Sequence, residues 1–237
     1  MFYNLAHRGA SEYAPENTLA AFYKGVELGA NGIETDLRAS KDGVIFLFHD
    51  DVLDRTTDGK GRPADYTWAE LQRLDAGSWF SPKYAGERLV SLEQFLYIFG
   101  GKRLHFALEL KDRGIVAPVL QAVERFGVRD RTTVTSFSFD ALREVRALDG
   151  GIRIGYLLRE IDRKALDELR AIGAQQICPA ASTLTREAVQ MAKSSGFEVR
   201  AWGVSNVRLM RHVLACGADG MTVNFPDLLA AELAGFG

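Results

Sequence analysis

A chain of 237 residues that is 47% hydrophobic and 25% charged is long enough to bury a large core, as one barrel-type domain or as two smaller units. A net charge of −2, with Lys and Arg scattered rather than clustered, excludes the basic footprint of a nucleic-acid binder. No apolar run approaches the roughly 20 residues that cross a bilayer, and residues 1–6 are too short for a secretory core, so a cytoplasmic protein without stable membrane insertion is expected.

In chain order, apolar strands are predicted near 2–6, 32–38, 44–48, 104–110, 131–136, 152–157, 176–178, 198–202 and 218–223. Amphipathic helices are predicted near 16–29, 91–99, 115–126, 138–148, 162–172, 185–195, 206–216 and 226–234. Strand and helix alternate, which implies a mostly parallel sheet covered by helices, and about eight such units in about 250 residues is the size of a closed β/α barrel. The ninth strand is one too many. The Asp42-Gly43 turn leaves no room for a crossover helix between 32–38 and 44–48, so either that stretch is a hairpin-like irregularity or one terminal strand is marginal.

From Asp51 to Val90 the rhythm breaks, with only a short helical piece around Thr67 to Leu74. Trp68, Trp79, Phe80 and Tyr84 argue against disorder, so 51–90 is expected to be a small folded insertion at the barrel mouth, with Trp68, Trp79 and Phe80 in its own core in preference to a modest apolar rim. Cys178 and Cys216 lie in apolar surroundings without metal-ligand spacing and read as buried free thiols. All helices read as conventionally amphipathic, so nothing in the pattern calls for a homo-oligomer.

Polar residues gather where apolar strands end. Glu34 and Asp36 are two apart on a strand and therefore share a face, as do Glu109 and Lys111. If those faces look into the barrel at its C-terminal end, three carboxylates converge, and hard oxygen ligands without a cysteine suit Mg²⁺, Ca²⁺ or Mn²⁺ better than Zn²⁺. The competing reading is that each carboxylate pairs with a neighbouring Arg or Lys. His7 and His49 each follow an apolar run, and two histidines on opposite sides of a phosphate serve nucleophile and leaving group; singly, each reads as a structural histidine. Arg8 and Lys111 are suited to hold phosphate oxygens, or else merely balance the carboxylates. Trp202 ends a strand and reads either as core or as a surface for an alkyl or glycerol group. His105 and His212 have no comparable setting.

These residues resemble those of the glycerophosphodiester phosphodiesterase family, bacterial cytoplasmic type, over nearly the whole chain and in order. The motifs are His7-Arg8-Gly9, Pro15-Glu16-Asn17-Thr18, Glu34-Thr35-Asp36, Lys41-Asp42-Gly43, His49-Asp50, Leu53-Asp54-Arg55-Thr56-Thr57, Leu74-Asp75-Ala76-Gly77-Ser78-Trp79, Glu109-Leu110-Lys111, Ser136-Phe137, Trp202 and Asp219-Gly220. The resemblance implies a single (β/α)8 TIM barrel of the phospholipase C-like phosphodiesterase type with a small insertion subdomain. It implies one divalent cation on Glu34, Asp36 and Glu109, acid–base catalysis by His7 and His49, and release of sn-glycerol 3-phosphate and an alcohol from a small glycerophosphodiester. The chain departs from the family in carrying Asn224 where aspartate is usual and Val90 where proline is common.

Three rival readings remain open at this stage. A Schiff-base aldolase would use Lys111, although Glu109 beside it should keep that lysine protonated. A phospholigand-binding barrel without catalysis would have been free to lose the two histidines. A lysophospholipase D-type enzyme would need an apolar mouth.

Overall fold

The structure is a computed structural model and describes residues 2–235. Among them, nine strands form one sheet: β1 (Tyr3–His7), β2 (Gly32–Ala39), β3 (Ile45–Leu47), β4 (His105–Leu110), β5 (Thr132–Ser136), β6 (Arg153–Leu158), β7 (Gln176–Pro179), β8 (Glu198–Val204) and β9 (Gly220–Val223). Eight of them are parallel and close on themselves, because β1 pairs with both β2 and β9. The strand in excess is β3, which lies antiparallel on β2 with Leu37 opposite Leu47. Its cause is the short link: Gly43 takes φ 82° and donates its N–H to the Ser40 carbonyl at 2.9 Å, turning the chain straight back.

Around the barrel run α1 (Leu19–Glu27), α3 (Leu92–Phe99), α4 (Val116–Arg125), α5 (Phe139–Leu148), α6 (Arg163–Ala171), α7 (Arg186–Ser194), α8 (Val207–Cys216) and α9 (Pro226–Ala234), with α2 (Trp68–Leu71) in the 51–90 segment. Thr18, Ser91, Ser138, Asp162, Thr185 and Asn206 each cap their helix by accepting a backbone N–H in the first turn. Such a cap is worth about 1 kcal/mol. The first helix begins three residues later than periodicity predicts, because Asn17 sits at φ 58° and cannot join it.

The apolar core lies between sheet and helices, one part built on Phe22, Phe95, Phe99 and Phe106, the other on the buried faces of α6 to α9. The 51–90 segment packs Leu53, Leu71, Ala76 and Leu89 onto Phe46 and Phe48, with Trp68 half-buried against them. Trp79 departs from expectation: it is 39% exposed. Its indole N–H is tied to the Ala76 carbonyl at 2.9 Å, and its ring meets Phe80 edge-on and the Arg55 guanidinium, which holds it at the rim instead of in the core.

Candidate active site

Strand ends determine what converges at the C-terminal mouth of the barrel. Register sets His7 beside Glu34 on β1 and β2, and Asp36 beside Glu109 on β2 and β4. Side chains two apart share a face, so both pairs point inward one above the other. The result is a cavity of about 310 Å³ lined by His7, Arg8, Glu34, His49, Glu109, Lys111 and Trp202, with Phe137 and Leu157 on its apolar side. Asp36 is fully buried beneath it. All eight residues singled out by sequence therefore meet in one place.

Glu34, Asp36 and Glu109 bring carboxylate oxygens within 4.8 Å of one another, and all three are buried. Glu34 Oε2 and Asp36 Oδ1 accept no hydrogen bond. Buried carboxylate oxygens without a hydrogen bond are costly, and three hard oxygen donors this close fit a hard divalent cation. Part of the charge is met by the chain itself. Lys111 Nζ lies 2.6 Å from Glu109 and 3.3 Å from Asp36, and Arg8 Nε lies 3.1 Å from Asp36.

Burial, with Asp36 and Glu109 alongside, pushes the Glu34 carboxyl up to about 8; burial and Asp36 raise Glu109 as well. Asp36 behaves oppositely. Burial would raise it too, but Arg8, Lys111 and the two histidines outweigh that and hold it down at about 2. Lys111 is raised by its carboxylate partners against the effect of burial, which keeps it an ammonium ion and removes it as a Schiff-base nucleophile.

The two histidines have different supports. His7 Nδ1 lies 2.6 Å from Asn224 Oδ1, and burial and the Arg8 charge lower its pKa to about 4. His49 Nδ1 lies 2.7 Å from Asp50 Oδ1, and its pKa is also lowered, by burial first. Asp50 is held ionised by a two-pronged contact from Arg55, whose remaining face grips Glu16 at 2.8 Å. Glu16 in turn holds Arg8 at 2.8 Å. A continuous chain of ion pairs thus ties the loop after β1 to the loop carrying His49. From the other side, Arg38 donates twice to the His49 carbonyl and pairs with Asp112 and Asp51.

Several of these supports were not evident from strand patterning. Arg8 and Asn17 both have positive φ, 56° and 58°, and both touch Asp36, so backbone strain is concentrated at the carboxylates. Asn17 Nδ2 donates to Asp36 at 3.2 Å while its Oδ1 accepts from Thr35 at 2.8 Å. Arg200, also lining the cavity, is 1% exposed and donates to Gln176, Thr222 and Cys178 inside the barrel. The spacing Arg200-X-Trp202 was the available signal, since it puts an arginine on the same strand face as Trp202. Trp202 is fixed by an indole N–H bond to the Leu158 carbonyl at 3.0 Å and meets Phe137 edge-on at 5.2 Å, so it is a wall of the cavity. His105 and His212 bond Thr133 and the Leu184 carbonyl away from the cavity.

A closed barrel with buried carboxylates, paired cations and two histidines at its C-terminal mouth has a polar candidate site where barrels of this architecture carry their chemistry. The chain belongs to the glycerophosphoryl diester phosphodiesterase family, whose profile matches residues 7–228. It is 33% identical to a glycerophosphodiester phosphodiesterase of Caldanaerobacter subterraneus over 95% of each chain. Its fold superposes on an Oleispira antarctica phosphodiesterase in complex with the product sn-glycerol-3-phosphate, with a TM-score of 0.92 and 29% identity, covering 97% of this chain and 96% of that one. A glycerophosphodiester phosphodiesterase from Agrobacterium tumefaciens is similar with a TM-score of 0.86 and 29% identity, over 98% of this chain and 100% of the other. Among the described residues no helix is long and apolar enough to cross a membrane.

Proposed function

We propose that this chain hydrolyses small glycerophosphodiesters to sn-glycerol 3-phosphate and an alcohol, using His7 and His49 for proton transfer and one divalent cation at Glu34, Asp36 and Glu109. The observation that carries the reading is the buried carboxylate cluster, two of whose oxygens accept no hydrogen bond, at one cavity with both histidines. A bound Mg²⁺, Ca²⁺ or Mn²⁺ would polarise the phosphoryl oxygens and offset the charge that builds on them.

The protein's own groups supply the rest. Arg8 and Lys111 set two fixed positive charges at the carboxylates, which lets an anionic diester approach an acidic site. His7 Nδ1–H donates to Asn224 Oδ1, which leaves Nε2 with a lone pair on a ring that burial keeps neutral; His7 is therefore the proton acceptor for the attacking hydroxyl. His49 has the Asp50 carboxylate behind it, which favours its imidazolium against the burial that lowers its pKa, and is assigned as the donor that protonates the departing alkoxide as the phosphorus–oxygen bond to the head group breaks. One water is consumed overall, and both histidines return to their starting states by exchange with solvent. Phe137, Leu157 and Trp202 form the apolar wall against which the glycerol carbons pack. The two unpaired cysteines suit the reducing environment of the cytoplasm.

Product analysis tests which bond is cleaved. Incubation with glycerophosphocholine should yield glycerol 3-phosphate and choline. Glycerol and phosphocholine would contradict the orientation given to the two histidines.

A further inference from the structure

A second cavity of about 710 Å³ opens beside the active site, and Lys111 lines both. Its walls come from three loops: the β2–β3 turn with Lys41, the 51–90 segment with Arg62, and the chain after β4 with Arg113. Five cationic side chains line it against two carboxylates, Asp51 and Asp112, on a protein of net charge −2. Both carboxylates are already consumed by Arg38, at 2.6 and 2.7 Å. Lys41, Arg62 and Arg113 are exposed and, among the described residues, have no ion-pair partner.

We propose that this groove is an anion subsite that takes a phosphate-bearing head group on the leaving-alcohol side of the substrate. The inference rests on the phosphodiesterase reading above. The 310 Å³ cavity with its apolar wall suits the glycerol phosphate portion, so the head group must extend out of it. The groove adjoins the segment that follows His49, the donor to the leaving alcohol, since Asp51 and Val52 line it. Three unpartnered cations ask for more than one negative charge, and a phosphate monoester carries about −1.5 to −2 near neutral pH. Lys41, Arg62 and Arg113 would face that group from three different loops. Arg38 is committed to Asp51, Asp112 and the His49 carbonyl and acts as a strut of the groove floor.

The test compares glycerophosphoinositol 4-phosphate with glycerophosphoinositol, which differ by one phosphate. The wild-type protein should show a kcat/KM at least about tenfold higher for the phosphorylated diester, the scale of one charge-assisted contact. A triple variant, Lys41→Ala with Arg62→Ala and Arg113→Ala, should reduce that ratio to about one while leaving glycerophosphocholine turnover unchanged. A wild-type ratio of one or less, or a ratio retained in the variant, overturns the proposal. Calorimetry with inositol 4-phosphate, the released head group itself, reads the groove without catalysis. Binding by the wild type that weakens at least about tenfold in the variant supports the subsite, and no binding overturns it. A protein that cleaves none of the diesters contradicts the phosphodiesterase reading instead, and the calorimetry then still decides the groove.

Discussion

His7 Nδ1 and Asn224 Oδ1 stand 2.6 Å apart although 217 positions separate them in the chain, whereas His49 leans on a carboxylate one residue away. The two histidines thus differ in the charge behind them. An amide holds the ring tautomer without stabilising the imidazolium, and a carboxylate does both.

Replacing that amide by a carboxylate should move the pH profile. In Asn224→Asp the new charge favours protonated His7, so the pKa rises from about 4. An acceptor histidine works only when neutral, so the acidic limb of kcat/KM should shift upward by about one to three pH units. A pH–rate profile of both proteins checks this, and an unmoved limb would show that His7 is not the acceptor.

Removing either imidazole should reduce turnover without emptying the cation site. His7→Gln and His49→Gln are each expected to lower kcat by about 10²–10⁴-fold, the usual contribution of a positioned proton-transfer group. Thermal unfolding with and without cation should show the same gain as in the wild type. Near-normal turnover in both variants would remove the proton-transfer scheme.

Much of this site is legible in sequence because strand periodicity is simple. Glu34-X-Asp36 and Glu109-X-Lys111 declare a shared face, and apolar runs ending at His7 and His49 declare strand ends. The ambiguity of nine strands had its answer in Asp42-Gly43, yet a turn signal alone does not say whether the returning strand enters the barrel or lies outside it. What patterning does not reveal depends on loops folding over one another. Arg55 bridging Glu16 and Asp50 joins residues from separate loops, and Asn17 meets Asp36 only because two residues adopt positive φ. Composition favours a core position for Trp79, whereas a backbone-anchored indole and a neighbouring guanidinium hold it at the surface.

Cation binding should be coupled to pH-dependent stability with a defined sign. Glu34 has an ordinary value of 4.5 and is raised to about 8, so the folded protein retains a proton that the unfolded chain releases. Stability of the cation-free protein therefore falls as pH rises through that window. The histidines act oppositely but only below their ordinary value of 6.5, and Asp36 only below 3.8. Between about pH 6.5 and about pH 8 the carboxyl effect stands alone. Tm of the EDTA-treated protein should fall across that interval, and added Mg²⁺, Ca²⁺ or Mn²⁺ should raise Tm more at the upper end. Glu34→Gln should flatten the slope, leaving what the raised Glu109 carboxyl contributes, and abolish the cation effect.

The loop after β1 depends on a glycine for a steric reason. At Gly9, φ is 84° and an added Cβ would lie 2.4 Å from the backbone carbon of Ala21 in α1. Gly9→Ala should destabilise by roughly 2–5 kcal/mol, combining left-handed strain with overpacking. Gly43 has a similar φ of 82° and open space around it, so Gly43→Ala should cost only about 1–2 kcal/mol. Denaturant unfolding of both variants checks the difference, and equal losses would contradict the close approach.

The central claim, cation-assisted cleavage of a glycerophosphodiester by this cluster, is tested most directly by release of glycerol 3-phosphate from glycerophosphocholine by EDTA-stripped protein, before and after one cation at a time is restored. Turnover that vanishes on stripping, returns with Mg²⁺, Ca²⁺ or Mn²⁺, and stays absent in Glu109→Gln is the expected result. Full turnover in the stripped protein would contradict it.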